Sequence, residues 1–262
     1  MYMLVIPDLV RHGYKECRDM LYEKITGKVI PKPWMKYREI EIIEEIIKNL
    51  KPKKCLEWGA GYSTLYFPRF LDSDAKWMSI EHEKGWFEKI KSLNKDHRVK
   101  IHLIQPNKYP WSDEYGDGDY SDLRDYVEYP NKFGKFDFIL IDGRARKYCL
   151  MKAYELLSDK GVAVLHDANR TYYHESFRLF NLSLSFTDYR EGWGGVWIGS
   201  KKLKLENVID VGKHTKFWKV INKLGEAAML IGVNASIIER IAGVMRRKRS
   251  KNKEVMTNAN RS

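Results

Sequence analysis

The chain has 262 residues, 44% of them hydrophobic and 13% aromatic, which suffices for one large domain with appendages and a sizeable core. Its three cysteines, Cys17, Cys55 and Cys149, form no CxxC pair. That excludes a disulfide framework or a cysteine-held structural zinc and points to a reducing, cytoplasmic setting. The net charge of +12 is concentrated in residues 201–262, which hold 15 lysines and arginines against 5 acidic residues, so the near-neutral body makes a surface that reads nucleic acid an unfavoured partner.

Residues 1–37 are expected to form a helical N-terminal segment. Its opening apolar run is cut by Asp8 and Arg11, unlike a secretory signal. Over 38–50 the spacing of Ile40, Ile43, Ile47 and Leu50, widened by Ile42 and Ile46, predicts an amphipathic helix that Lys51-Pro52 ends. A buried strand at Cys55–Trp58 follows, then a glycine-rich turn and a helix at Thr64–Leu71. The pattern continues with a strand at Trp77–Ile80, a helix at Lys84–Asn94 and a strand at Val99–Gln105. After a long loop over 106–134 come a strand at Phe136–Ile141, a helix at Lys147–Ser158 and a strand at Gly161–Leu165. Alternating strands and helices imply parallel crossovers and helices on both sheet faces. The last two strands, Leu182–Tyr189 and Gly195–Ser200, flank a glycine-rich turn and read as an antiparallel hairpin. The expectation is a doubly wound α/β domain over 38–205, a mostly parallel seven-stranded sheet of Rossmann-like type, followed by a basic helical tail over 206–262.

The first chemical motif is Leu56-Glu57-Trp58-Gly59-Ala60-Gly61-Tyr62-Ser63-Thr64, directly after the first strand. Gly59 and Gly61 allow a sharp turn and a close backbone approach to a ligand. A dinucleotide fingerprint would have a third glycine where Thr64 stands, and a carboxylate at Glu57 suits an ammonium or sulfonium better than a pyrophosphate. The second motif, Ser79-Ile80-Glu81-His82-Glu83, places an acid 20 residues beyond Gly61, the position from which a carboxylate holds ribose hydroxyls. The third joins Ile141-Asp142-Gly143-Arg144-Ala145-Arg146 to Leu165-His166-Asp167-Ala168-Asn169-Arg170 at the carboxyl edge of the sheet. There His166 could act as a general base oriented by Asp142 or Asp167, or the whole could be an ion-pair cluster with Arg144, Arg146 or Arg170.

Taken in succession, LEWGAGYSTLYF, SIEHE, FDFILIDGRAR and GVAVLHDA resemble the motifs of class I S-adenosylmethionine-dependent methyltransferases over about residues 38–200. The resemblance implies S-adenosylmethionine as cofactor. Glu57, Gly59, Ala60, Gly61 and Ser63 match the loop around its methionine part, and Glu81 with His82 matches the ribose-binding segment. The third strand ends in Gln105-Pro106-Asn107, without the acid that often meets the adenine. Asp142 and Asp167 also resemble two of the magnesium ligands of the catechol O-methyltransferase group, while the third ligand, an asparagine there, is Ala168 here. Magnesium is therefore an open alternative to His166 for activating the acceptor.

The loop 106–134 interleaves aromatic rings with carboxylates, a composition that suits a sugar or another polyol. The expected function is O-methylation of a small-molecule or saccharide hydroxyl, such as a surface glycan. A nucleic-acid methyltransferase or a non-catalytic cofactor-binding module stands as the alternative. In the tail, the apolar helical pattern over Phe217–Met245 followed by Arg246–Lys253 suggests an anchor on an anionic membrane surface, against packing on the domain or on a second subunit.

Overall fold

The computed structural model describes residues 6–188 and 192–230. Its main compact unit spans Val29–Thr215. It opens with α2 (Tyr37–Leu50), which follows the N-terminal helix α1 (Ile6–Thr26). The isoleucine spacing gives α2 one apolar face, and Ile40, Ile42, Ile43, Ile46 and Ile47 are all buried. Lys51 closes the helix in a left-handed conformation with φ 48°, immediately before Pro52.

Seven strands form one sheet: β1 (Lys54–Trp58), β2 (Lys76–Glu81), β3 (Val99–Leu103), β4 (Phe136–Ile141), β5 (Leu157–His166), β6 (Leu182–Phe186) and β7 (Val196–Ser200). Their order is β3-β2-β1-β4-β5-β7-β6. The first five are parallel, and β7 runs antiparallel between β5 and β6. Strands buried on both faces must be apolar throughout, and Leu56, Trp58, Phe138, Ile139, Leu140, Ile141 and Val162 through Leu165 satisfy this. The helices α3 (Tyr62–Tyr66), α4 (Lys84–Leu93), α5 (Tyr120–Glu128) and α6 (Arg146–Leu156) connect the parallel strands. In register, Trp58 lies between Ile80 and Ile141, so the carboxyl ends of β2, β1 and β4 are level. The chain order reverses between β1 and β4, which opens a crevice above those ends.

The seven-stranded, mostly parallel sheet and its antiparallel terminal hairpin match the sequence expectation, and the main differences lie in the connections. The helix expected over Thr64–Leu71 is α3 followed by a 3-10 turn at Phe67–Phe70, because Pro68 has no N–H to continue an α-helix. The segment 106–134, expected as a loop, contains α5 and a further 3-10 turn at Tyr129–Phe133. The Asp119 carboxylate accepts the Tyr120 N–H at 2.8 Å and starts α5, while Leu123, Tyr126 and Val127 are buried. The first hairpin strand ends at Phe186, and the turn residues Tyr189 to Glu191 lie outside the described residues.

A second unit consists of the two ends of the chain, Met1–Lys28 and Lys216–Ser262, of which residues 6–28 and 216–230 are described. The tail helix α7 runs over Val211–Leu230. The remainder of the expected tail helix and the basic run Arg246–Lys253 lie outside the described residues. No helix among the described residues is long and apolar enough to cross a membrane.

Candidate functional site

The turn after β1 is shaped by close contact of two backbones. Gly59 has φ +95°, and a Cβ there would lie 2.4 Å from the Cα of Gly143, the second residue after β4. A Cβ on Gly143 would in turn meet the Tyr126 hydroxyl and the Gly59 backbone. Only glycine at both positions lets the β1 and β4 ends approach this closely. Gly61 differs: its φ is extended, and a Cβ would sit 3.5 Å from Ser63 Oγ in open contact. Ala60 is buried and its carbonyl accepts a 2.6 Å bond from Trp86 Nε1, tying the turn to α4.

Glu57 lies beneath this turn rather than above it. Its carboxylate is fully buried and accepts hydrogen bonds from Ser63 at 2.5 Å, Thr64 at 2.6 Å, Trp77 Nε1 at 2.9 Å and the Ser79 hydroxyl. Burial pushes its pKa up, the four donors pull it down, and the balance is about 7. Sequence reasoning aimed Glu57 and Ser63 at the ligand. The structure brings the two together: among the described residues, the hydrogen bonds to the Glu57 carboxylate come from the hydroxyls of α3 and the groups of β2. They therefore shape the turn from below.

Glu81 ends β2 and is buried. Its Oε1 accepts the N–H groups of His82 and Glu83 at 2.9 and 2.8 Å, which fixes the carboxylate, while Oε2 has no hydrogen-bond partner among the described residues. The half-buried His82 ring packs 5.9 Å from both Trp111 and Tyr126. A carboxylate held by one oxygen with the other open at a strand end is equipped to accept hydroxyl hydrogens.

The third constellation closes into a charged network at the ends of β4 and β5. His166 Nδ1 lies 2.9 Å from Asp142 Oδ1, and its Nε2 lies 3.2 Å from Glu39 Oε2 on α2. Burial opposes charge on the imidazole, yet the carboxylates of Asp142, Asp167 and Glu39 outweigh it and raise its pKa well above the usual value. Burial likewise raises Glu39, but the bond to His166 and the charges of His166, Arg38 and Lys36 bring it down to about 2. Arg146, also buried, reaches Asp142 Oδ1 at 3.3 Å, Asp167 Oδ2 at 3.2 Å and the His166 carbonyl at 2.9 Å. Arg170 adds a 3.0 Å ion pair to Asp167. Asp167 itself has φ 61° and accepts the Gly194 N–H at 2.7 Å.

This geometry bears on two expectations. A base must arrive unprotonated, and an imidazole clamped between two carboxylates is held toward its protonated form, which disfavours His166 as a general base. Magnesium fails for a related reason. The space between Asp142 and Asp167 is bridged by the Arg146 guanidinium, which supplies the positive charge a cation would bring. Among the described residues no group of three or more His, Cys, Asp or Glu is arranged to hold a metal. Asp142 remains the partly exposed carboxylate of the network.

Sequence reasoning missed Glu39, which carries no local signal beyond its place in the first turn of α2, 127 residues from His166. It also missed Asp117, whose Oδ2 accepts the Arg146 N–H at 3.0 Å and whose carbonyl accepts the Ala145 N–H at 2.7 Å. That pair joins the long segment to the start of α6. A groove of about 620 Å³ is lined by Thr64, Pro68, Arg69, Asn94 and His97.

The reversed strand β7, inserted between β5 and β6 at one end of an otherwise parallel sheet, decides the architecture. The fold is a Rossmann-like, doubly wound and mostly parallel sheet that ends in an antiparallel hairpin. No family model matches the chain, and no curated protein sequence does. Several solved structures do. One is a methyltransferase-like protein from Silicibacter pomeroyi, 17% identical, covering 74% of this chain and 99% of that one with a TM-score of 0.48. Another is an O-methyltransferase from Bacillus cereus in complex with SAH, 14% identical over 71% of this chain and 90% of that one, TM-score 0.49. A spermidine synthase from Thermotoga maritima is 18% identical over 69% of this chain and 64% of that one, TM-score 0.44.

Proposed function

We propose that the chain is an S-adenosylmethionine-dependent methyltransferase acting on a hydroxyl of a small, saccharide-type acceptor. The observation that carries this reading is Glu81, a buried carboxylate at the end of β2 with one oxygen fixed by backbone N–H groups and the other open. It belongs with the Gly59–Gly143 contact, which brings backbone rather than side chains to the crevice floor. The donor set fits the cofactor: Oε2 of Glu81 would accept the ribose hydroxyls, His82 would flank the base, and the Gly59-Ala60-Gly61 backbone would line the methionine part.

The cofactor supplies a methyl group made electrophilic by its sulfonium. The protein's task is to hold the acceptor oxygen in line and keep water away, which can supply much of the acceleration. Asp142 is the group that can accept the acceptor hydroxyl's hydrogen bond, since its carboxylate is partly exposed and is oriented by His166 and Arg146. The imidazolium and the guanidinium hold that carboxylate in place. Exposed rings on loops after the strand ends, among them Tyr109, Tyr115 and Trp193, support a saccharide acceptor through stacking on pyranose faces. Tyr115 is itself stacked on Tyr172 at 4.1 Å between ring centres.

The test is transfer of labelled methyl to a panel of small saccharides and saccharide extracts, with RNA as the control acceptor. Label on the saccharide pool that is lost in Asp142→Asn supports the reading. Label on RNA alone overturns the choice of acceptor.

A further inference from the structure

The helix that carries Arg146 begins without a cap of its own. Ala145 stands at the N-cap of α6 in a left-handed conformation, φ 49° and ψ 37°, which a residue with a Cβ adopts only at a cost. Its methyl group accepts no hydrogen bond, whereas serine, threonine, asparagine or aspartate there would accept one from the first helical N–H groups. Asp117 supplies the acceptors from a distant part of the chain, 29 residues before Arg146. Its carbonyl takes the Ala145 N–H at 2.7 Å, and its Oδ2 takes the Arg146 N–H at 3.0 Å. Asp117 is buried, and its Oδ1 has no hydrogen-bond partner among the described residues.

The segment that brings Asp117 there touches the connections that follow three strands. Trp111 packs against His82 after β2, Asp117 meets Ala145 and Arg146 after β4, and the Tyr115 ring stacks on Tyr172 after β5. The Asp113 carboxylate accepts the N–H groups of Tyr115, Asp117 and Gly118 at 3.1, 2.9 and 2.7 Å, which folds the segment around Asp117. Arg146, the first residue of α6, lies directly under the cap. Its guanidinium bridges Asp142 and Asp167, and its Nε donates to the Gly143 carbonyl at 2.9 Å. A residue pinned by its backbone at a helix start, with a side chain that must reach two carboxylates, passes any shift of the first on to the second. We propose that Asp117 is a positioning residue: by capping α6 it sets the Arg146 guanidinium, and through it the Asp142 carboxylate. The role of Asp142 rests on the hydroxyl-methylation reading, whereas the placement of Arg146 does not.

Two variants of the full-length protein test this. Asp117→Ala removes the Oδ2 acceptor, while Asp117→Asn keeps an oxygen for the Arg146 N–H and puts its nitrogen where Oδ1 accepts no bond. In protein with isotope-labelled arginine, the Arg146 Nε–H is followed by NMR and assigned by its loss in Arg146→Lys. Being buried and bonded to Gly143, it should exchange slowly with solvent in wild type. Asp117→Ala, checked for fold by circular dichroism, should exchange it about tenfold faster or more, and Asp117→Asn should stay within about threefold of wild type. In methyl transfer, Asp117→Ala should lower kcat by about tenfold or more at a cofactor KM changed by less than about threefold, since displacing a reacting group by about 1 Å has effects of at least that order. Should Asp117→Ala not fold, Asp117→Glu, whose oxygens are moved by one methylene, is read in its place by the same criteria. Wild-type exchange at Arg146 in the folded variant overturns the proposal, as does failure of Asp117→Asn to restore it. If wild type transfers no methyl group, the hydroxyl-methylation reading fails, and the exchange measurement alone decides whether Asp117 places Arg146.

Discussion

His166 and Glu39 meet through Nε2 and Oε2 at 3.2 Å although 127 residues separate them, and both side chains are buried. The pair fastens α2 to the carboxyl end of β5, and Asp142 on the other side of the imidazole extends the link to β4. Glu39 also accepts the Gly195 N–H at 2.8 Å, so one carboxylate spans α2, β5 and the start of β7. A charge so enclosed is held only while its partner remains. Replacing His166 by glutamine should destabilise the fold by about 3–5 kcal/mol in chemical denaturation. An unchanged midpoint would mean that the imidazole is not the clamp.

The same pair sets a pH dependence at the acid side. Glu39 is held at about 2 against an ordinary value of 4.5. Its stabilisation is therefore present above pH 4.5 and lost as pH falls from there toward 2, a loss of about 3 kcal/mol if this group acts alone. Glu39→Gln should flatten the stability profile over that window. A wild-type profile that is already flat there would contradict the ion pair.

Glu57 has the opposite sign. Its pKa is raised from 4.5 to about 7, so the folded state favours the protonated acid. Stability from this group is present below pH 4.5 and is lost as pH rises toward 7, by about 3 kcal/mol at most. Glu57→Gln, which cannot ionise, should compare less well with wild type at pH 5 than at pH 8. Equal differences at the two pH values would mean that the carboxylate is not the titrating group.

The two glycines of the turn should separate fold from binding. Gly143→Ala places a methyl against the Tyr126 hydroxyl and the Gly59 backbone, and should cost more than about 3 kcal/mol. Gly61→Ala meets nothing closer than 3.5 Å and has no positive φ to strain it, so its stability should stay within about 1 kcal/mol of wild type. Its affinity for S-adenosylhomocysteine should nevertheless fall, because the added methyl projects where backbone must approach the ligand. Normal binding by the stable Gly61→Ala protein would remove that turn from the site.

The parallel strands were legible in the sequence because strands buried on both faces read as short continuous apolar runs. Cys55–Trp58 and Phe136–Ile141 fall within one residue of the observed bounds. Gly59 and Glu81 were legible for a similar reason: turn chemistry and strand-end acids are local properties. What the sequence hid is relational. Nothing near Glu57 reveals that Ser63, Thr64, Ser79 and Trp77 all converge on it, and nothing near His166 reveals Glu39. Helix α5 was concealed by charge, since Asp122, Arg124 and Asp125 interrupt its apolar residues Leu123, Tyr126 and Val127.

With Arg146 between Asp142 and Asp167, turnover should survive a chelator and show no activation by added magnesium. Asp142→Asn should reduce kcat on the order of a hundredfold, with cofactor affinity changed by less than about threefold. Loss of activity on chelation, restored by magnesium, would overturn the assignment of this network as an ion-pair scaffold.

The central claim is that Glu81 holds the ribose of an S-adenosyl cofactor, and calorimetric titration with S-adenosylhomocysteine tests it most directly. Wild type should bind it in preference to NAD. Glu81→Ala should retain its fold by circular dichroism and lose roughly ten- to a hundredfold in affinity, the effect of removing a charge-assisted contact of about 1.5–3 kcal/mol. Unchanged affinity in Glu81→Ala would take this carboxylate out of the site, and wild-type preference for NAD would contradict the whole account.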